Sequence, residues 1–384
     1  MNSRSVSVLF FVLILVATFV NAFDIGIKRR TKHRNTGRGH LARDKSKVSS
    51  SAGYAEKVQA FRNLQYTGLV SVGNPPQTFE VILDTGSDLF WLPRIGCTSS
   101  GPEVKFCKSN KGLYNPSKSK TAHDLHRTFK IEYGTGSAVG EYFFDEMSFG
   151  NAEGSHVSVG NVTLGAASTM RFSDQGILGL SFAQQGDPTP IFELAVQRGI
   201  FKDPIFTVFL ANCNGNCENG GVIKLGSTNP QNCGDAIGSA KIVGNTPYWL
   251  FNLNGITANG RAVKSSRNAI ADTGTSIIAG PASVIRQIAR SFNAQVIQGT
   301  YVVPCNAKVQ LSFKINDHEY TINEKQLIQE GVVATGDGVD YCQLNLDGDN
   351  QLEFMILGDP FIRNFCLIQN VKEKTITFAP VRAN

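Results

Sequence analysis

Two copies of one short phrase constrain this chain more than any other feature. Val81-Ile82-Leu83-Asp84-Thr85-Gly86-Ser87 lies in the first half, and Ala269-Ile270-Ala271-Asp272-Thr273-Gly274-Thr275-Ser276 carries its aspartate 188 residues later. In each, an apolar extended run delivers an Asp into a tight Thr-Gly turn. That is a way of fixing a carboxylate at a strand end, with a residue lacking Cβ where backbone must approach closely. Two such turns in one chain imply a buried pair of carboxylates.

The echo extends further. Ile177-Leu178-Gly179 ends 95 residues after Asp84, and Ile356-Leu357-Gly358 ends 86 residues after Asp272, so the repeat implies a duplicated lobe. From Asn63 onward, short alternating runs such as Tyr66 to Val72 and Phe79 to Leu83 are separated by turn formers such as Gly73-Asn74-Pro75-Pro76. This period of two, with 38 glycines in the chain, predicts a mostly β protein. Helical periodicity is confined to Pro190 to Arg198, with Gly199 beyond its end, and to Pro281 to Phe292. At 384 residues the chain holds two ordinary domains, and Gly, Ser, Asn and Pro gather near Leu225 to Lys241, where the lobes should meet.

The apolar run Val8 to Val20, after Arg4 and before Asn21-Ala22, reads as a signal peptide covering residues 1–22. No later stretch is long and apolar enough to span a bilayer, so a soluble product of the secretory pathway, without a membrane anchor, is expected. Between Phe23 and Val48 nine basic residues face only Asp24 and Asp44. Behind a signal peptide this run reads as a removable pro-segment, residues 23–52, rather than a nucleic-acid contact. Eight cysteines in a secreted chain predict disulfides, and their spacing lacks a paired metal-binding pattern. Neither metal nor cofactor is expected. Asn161-Val162-Thr163 is a candidate glycosylation sequon.

Taken in order, Asp84-Thr85-Gly86-Ser87, Trp91-Leu92-Pro93, Tyr133-Gly134-Thr135-Gly136-Ser137, Asp272-Thr273-Gly274-Thr275-Ser276 and Ile356-Leu357-Gly358-Asp359 resemble the pepsin-like aspartic proteases. The resemblance runs from about Leu64 to the C-terminus and implies a bilobal β fold with a catalytic cleft between the lobes. Here the lobes would be residues 53–232, with Asp84, and 233–384, with Asp272. It implies an aspartic endopeptidase in which the ionised member of the pair takes a proton from a bridging water while its protonated partner polarises the scissile carbonyl. By the same resemblance, Thr85 and Thr273 would bond across to the opposite loop, and Ser87 and Thr275 would hold the outer carboxylate oxygens. The span Tyr133, Gly134 and Thr135 would be a hairpin flap closing over substrate, with Trp91 under the Tyr133 hydroxyl. Ile82, Ile177 and Ile270 would be either pocket walls or core, with Ser276 beside the substrate, and cleavage between large apolar residues is the family expectation.

Cys97–Cys107 and Cys305–Cys342 match disulfides of the family. Cys213, Cys217, Cys233 and Cys366 do not, and four cysteines permit three pairings. One local bridge among the first three and one long-range bridge to Cys366 is the favoured reading, with a free thiol pair as the alternative. Two further departures stand out. Asp88 follows Ser87 where relatives usually carry Ser or Thr, and the basic pro-segment is short. Its charge would be held by a carboxylate-lined cleft at neutral pH and released on acidification, making the chain a zymogen inhibited by its own pro-segment. Partners beyond that segment would be peptide or protein substrates, with no nucleic acid, and the enzyme is expected to be a monomer. The nearly balanced charge of the remainder favours degradation in a mildly acidic lumen, secreted or lysosomal. The rival reading is an inactive homologue that only binds peptides.

Overall fold

The computed structural model describes residues 22–31, 64–99, 105–107, 112–134, 136–171, 175–212, 217–264, 266–336 and 338–382. The signal peptide and residues 32–52 of the pro-segment lie almost wholly outside these.

The first Asp strand, Gln77–Asp84, runs parallel to Gly176–Gly179, with Val81 opposite Gly176 and Asp84 opposite Gly179. The second, Asn268–Ala271, runs parallel to Met355–Leu357, with Ala269 opposite Met355 and Ala271 opposite Leu357. In both places the Ile-Leu strand also pairs antiparallel with the strand that follows the Asp turn, Phe90–Ser99 or Ile278–Pro281. The two halves thus repeat one pattern, matching the echo in the sequence. Strands inside such an arrangement are covered on both faces, which is why Val81, Leu83, Ala269, Ile270 and Ala271 are all buried. Each Ile-Leu-Gly motif ends in glycine because the chain leaving the Asp turn crosses directly over it. A Cβ on Gly179 would stand 2.4 Å from the Asp88 carbonyl carbon, and one on Gly358 would stand 2.1 Å from the Thr275 oxygen.

A 14-stranded sheet carries the first half and continues into the second through Ile205–Leu210, Phe365–Asn370 and Thr375–Pro380. Three smaller sheets of five, four and four strands complete the second half. Apolar side chains from both halves form one continuous core, in which Trp249 lies 4.4 Å from Phe182 between ring centroids and donates its indole N–H to the Leu180 carbonyl. The longer predicted helices occur at Ile191–Gln197 and Ala282–Ser291, each entered from a proline. Short turns Glu324–Leu327 and Asp359–Ile362 are additional and had no periodic signal because they span barely one turn.

Phe23–Thr31 is a strand within the large sheet. It pairs with Cys217–Leu225 on one side and Leu64–Val72 on the other, and buries Phe23, Ile25 and Ile27. The start of the basic segment is therefore part of the β framework. Among the described residues no helix is long and apolar enough to cross a membrane, and no cluster of His, Cys, Asp and Glu is arranged to hold a metal.

Candidate active site

The two Asp turns meet head to head. Within each, the glycine N–H folds back onto the aspartate: Gly86 N–H donates to Asp84 Oδ1 at 2.8 Å, and Gly274 N–H to Asp272 Oδ1 at 2.7 Å. The Ser87 hydroxyl donates to Asp84 Oδ2, and the Thr275 hydroxyl to Asp272 Oδ2 at 2.6 Å. Each carboxylate is thus fixed in orientation by its own loop.

Thr85 and Thr273 satisfy the opposite loop rather than their own. Thr85 N–H donates to Thr273 Oγ1 and Thr273 N–H to Thr85 Oγ1, both at 3.0 Å. The hydroxyls continue outward, Thr85 Oγ1–H to the Ala271 carbonyl at 3.0 Å and Thr273 Oγ1–H to the Leu83 carbonyl at 2.6 Å. All of these bonds are buried, where polar groups left unpaired are costly, so the lobes are held in register at the point where the carboxylates face each other. The apposition explains the glycines as well. A Cβ on Gly86 would stand 2.6 Å from Asp272 Oδ1, and one on Gly274 would stand 2.4 Å from Asp84 Oδ1.

Burial raises the Asp84 carboxyl far above the ordinary carboxylate range, and the neighbouring Asp272 charge raises it further. The Ser87 hydroxyl and Gly86 N–H pull the other way without overcoming these effects. The pair holds a proton at pH values where a free aspartate has lost it.

Above the pair, His123–Tyr133 and Gly136–Gly150 form a hairpin with Tyr133 opposite Gly136. Gly134 is at its tip, and Thr135 lies outside the described residues. The Trp91 indole N–H donates to Tyr133 Oη at 2.7 Å. Burial, and then the Asp84 charge, push the Tyr133 phenol up, so it stays neutral. Replacing Trp91 with Phe keeps the packing and removes the donor. The expected result is a fall in kcat/KM of about tenfold with little change in melting temperature, measured by steady-state kinetics and thermal unfolding.

The cleft between hairpin and carboxylates has a volume of about 400 Å³. Ile82, Ile177, Ile270 and Ser276 line it, as do Tyr133 and Gly134. Sequence reasoning missed Ile131, Tyr248, Leu352 and Phe354, which also line it, the Tyr248 and Phe354 rings lying 5.7 Å apart. Tyr248 lies in no motif, whereas Ile131 and Phe354 each stand two residues before one, at Tyr133 and Ile356, and alternation into those motifs was the signal that could have pointed to them. Trp91 stands behind Tyr133 rather than in the cleft wall. Asp88 is buried at the cleft edge, its Oδ2 accepting the Gln184 N–H at 2.9 Å.

Three disulfides are described. Cys97–Cys107 has Cα atoms 5.5 Å apart, Cys305–Cys342 has them 4.8 Å apart, and Cys233–Cys366 joins residues 133 positions apart in sequence. Cys213 and the side chain of Cys217 lie outside the description. Asn161 is exposed on the strand His156–Arg171.

A profile of the eukaryotic aspartyl protease family matches residues 65–381. Aspartic protease 2 of Necator americanus is 32% identical, with 86% of each chain covered. Mouse cathepsin E is 30% identical over 83% of this chain and 81% of its own, and dromedary chymosin is 31% identical over 88% of each. With a match over most of its length and the paired Asp-Thr-Gly loops it would require, the chain belongs to the pepsin-like eukaryotic aspartyl proteases and is an aspartic-type endopeptidase.

Proposed function

We propose that Asp84 and Asp272 are the catalytic pair and that the enzyme cleaves between large apolar residues under acidic conditions, having been made as a zymogen. The observation that carries this reading is the apposition of two carboxylates in cross-bonded loops, with the Asp84 carboxyl raised above the ordinary carboxylate range by burial and by Asp272. A water placed between them loses a proton to the ionised member as it attacks, while the protonated member donates toward the carbonyl oxygen. Charge is never created in bulk water, and no covalent intermediate is needed. Ile82, Ile177, Ile270 and Phe354 favour apolar substrate side chains, and the hairpin offers backbone to an extended peptide as an added strand.

Entry into the secretory pathway and an acidic destination rest on the sequence of residues 1–22 and on this chemistry. The two lobes are assigned to residues 53–232 and 233–384. Inhibition by the basic segment rests on its charge, and its first part, Phe23–Thr31, is inserted into the sheet. The inactive alternative is disfavoured because both aspartates, both turn glycines and Tyr133 are retained. Incubation of a denatured protein at about pH 4 should give cleavage that pepstatin stops. Binding of peptides without cleavage would favour the inactive reading.

A further inference from the structure

A second cavity of about 400 Å³ opens beside the cleft and shares the wall formed by Asp88, Ile131, Glu132 and Gln184 with it. Its remaining wall is formed by Leu89, Lys130, Tyr142 and Asp187. We propose that this side pocket selects a lysine or arginine side chain of the substrate, with Asp88 and Asp187 as the residues that determine the preference. The assignment rests on the endopeptidase reading above and adds a specificity to it.

Charge decides the matter. Lys130 and Glu132, both in the pocket wall, pair with each other at 2.6 Å and so cancel locally. Arg127 is tied up as well, its guanidinium lying over the Tyr142 ring at 5.3 Å and donating to the Gly186 carbonyl at 3.2 Å. Among the described residues no cation lies at ion-pair distance from Asp88 or Asp187. There Asp88 receives the Gln184 N–H as its one hydrogen bond from outside its own turn, and Asp187 is approached by the Tyr142 hydroxyl at 3.3 Å. A second observation marks a place for a donor. The Ser181 hydroxyl, on a residue 4% exposed in the wall of the main cleft, which Asp88 also lines, has no hydrogen-bond partner among the described residues. Its backbone N–H donates to the Ser87 carbonyl at 3.0 Å, so its backbone adjoins the residue before Asp88. An ammonium or guanidinium head brings several donors into this space, while its aliphatic stem lies along Leu89 and Ile131.

Burial raises the Asp88 carboxyl, the Gln184 N–H opposes this, and Asp187 reinforces it. Lys130, Glu132, Tyr142, Tyr133, Tyr248 and the catalytic pair are the other titratable groups around it. A bound cation favours the charged carboxylate, so the preference should strengthen as pH rises through and above the ordinary carboxylate range.

The test uses matched peptides that differ at one position, lysine in one and its uncharged isostere norleucine in the other, scanned across the positions flanking the scissile bond. At one position the wild-type ratio of kcat/KM, lysine over norleucine, should be about tenfold or more. In Asp88→Ser that ratio should collapse toward one. In Asp187→Lys, which changes an exposed side chain, it should also fall toward one, because the new ammonium faces Asp88 and neutralises the pocket. Because each readout is a ratio within one variant, a general loss of activity does not mimic the result. Cleavage of norleucine peptides with no lysine preference at any position would overturn the pocket alone, as would a ratio unchanged in both variants. No cleavage of either peptide by the wild type would overturn the endopeptidase reading as well.

Discussion

Replacing either Asp84 or Asp272 with asparagine should reduce peptide hydrolysis by at least about a thousandfold while leaving the protein folded. Each carboxyl performs a proton transfer that an amide cannot, and the cross-bonded threonines that fix the loops are untouched by the change. Asp84→Asn has a second expected effect, opposite in sign, on stability. The Asp84 pKa is raised in the folded state by burial and by Asp272. A group of this kind stabilises the fold fully below its unfolded pKa, and the contribution is lost as pH rises toward the folded value. The wild type should therefore lose thermal stability from acid toward neutral pH, and asparagine, which has no charge to bury, should not suffer that loss. At neutral pH the variant should melt about 2–4 °C higher than the wild type, the difference shrinking in acid. Thermal unfolding of both proteins across that range checks it, and a variant that is less stable at every pH would refute the assignment of this pH dependence to the buried Asp84 carboxyl.

The second large effect concerns the strand Phe23–Thr31. Ile25 and Ile27 are buried at 3% and 1% exposure, on a strand with neighbours on both edges. Ile25→Asp buries an unpaired carboxylate in that sheet, and should cost about 3 kcal/mol or more, enough to lower the melting temperature of the full-length chain by roughly 10 °C. Asp24→Ser, on the exposed face, loses only a surface ion pair with Lys224 and should leave the melting temperature within about 2 °C. Similar melting temperatures for both variants would mean that this strand is not part of the folded framework.

Much of the framework was legible because it is written in local chemistry. An apolar run, an aspartate, and a glycine at a close approach recur together, and two such phrases with two Ile-Leu-Gly partners suffice to indicate duplicated parallel pairings. The candidate site was legible for the same reason, since Thr85 and Thr273 occupy equivalent places in equivalent turns. What sequence could not reveal came from elsewhere. Tyr248 reaches the cleft from a segment with no pattern of its own, and Leu352 and Phe354 from just ahead of the second Ile-Leu-Gly motif, brought there by the tertiary fold. Phe23–Thr31 was read by its charge, and the alternation of Phe23, Ile25 and Ile27 beneath that charge is what places it in the sheet. The choice of Cys233 as partner for Cys366 required distance in space, because 133 intervening residues carry no record of it. Asp88 was visible as a departure, but the pocket it borders is assembled from the hairpin strands and the loop around Gln184.

The shared proton is the central claim, and the pH dependence of kcat/KM on an uncharged peptide tests it most directly. The predicted result is a bell, falling in strong acid when both carboxyls are protonated and falling again when the pair loses its remaining proton, with that second limb above the ordinary carboxylate range. Activity that climbs without a second limb through neutral and into alkaline pH would contradict it.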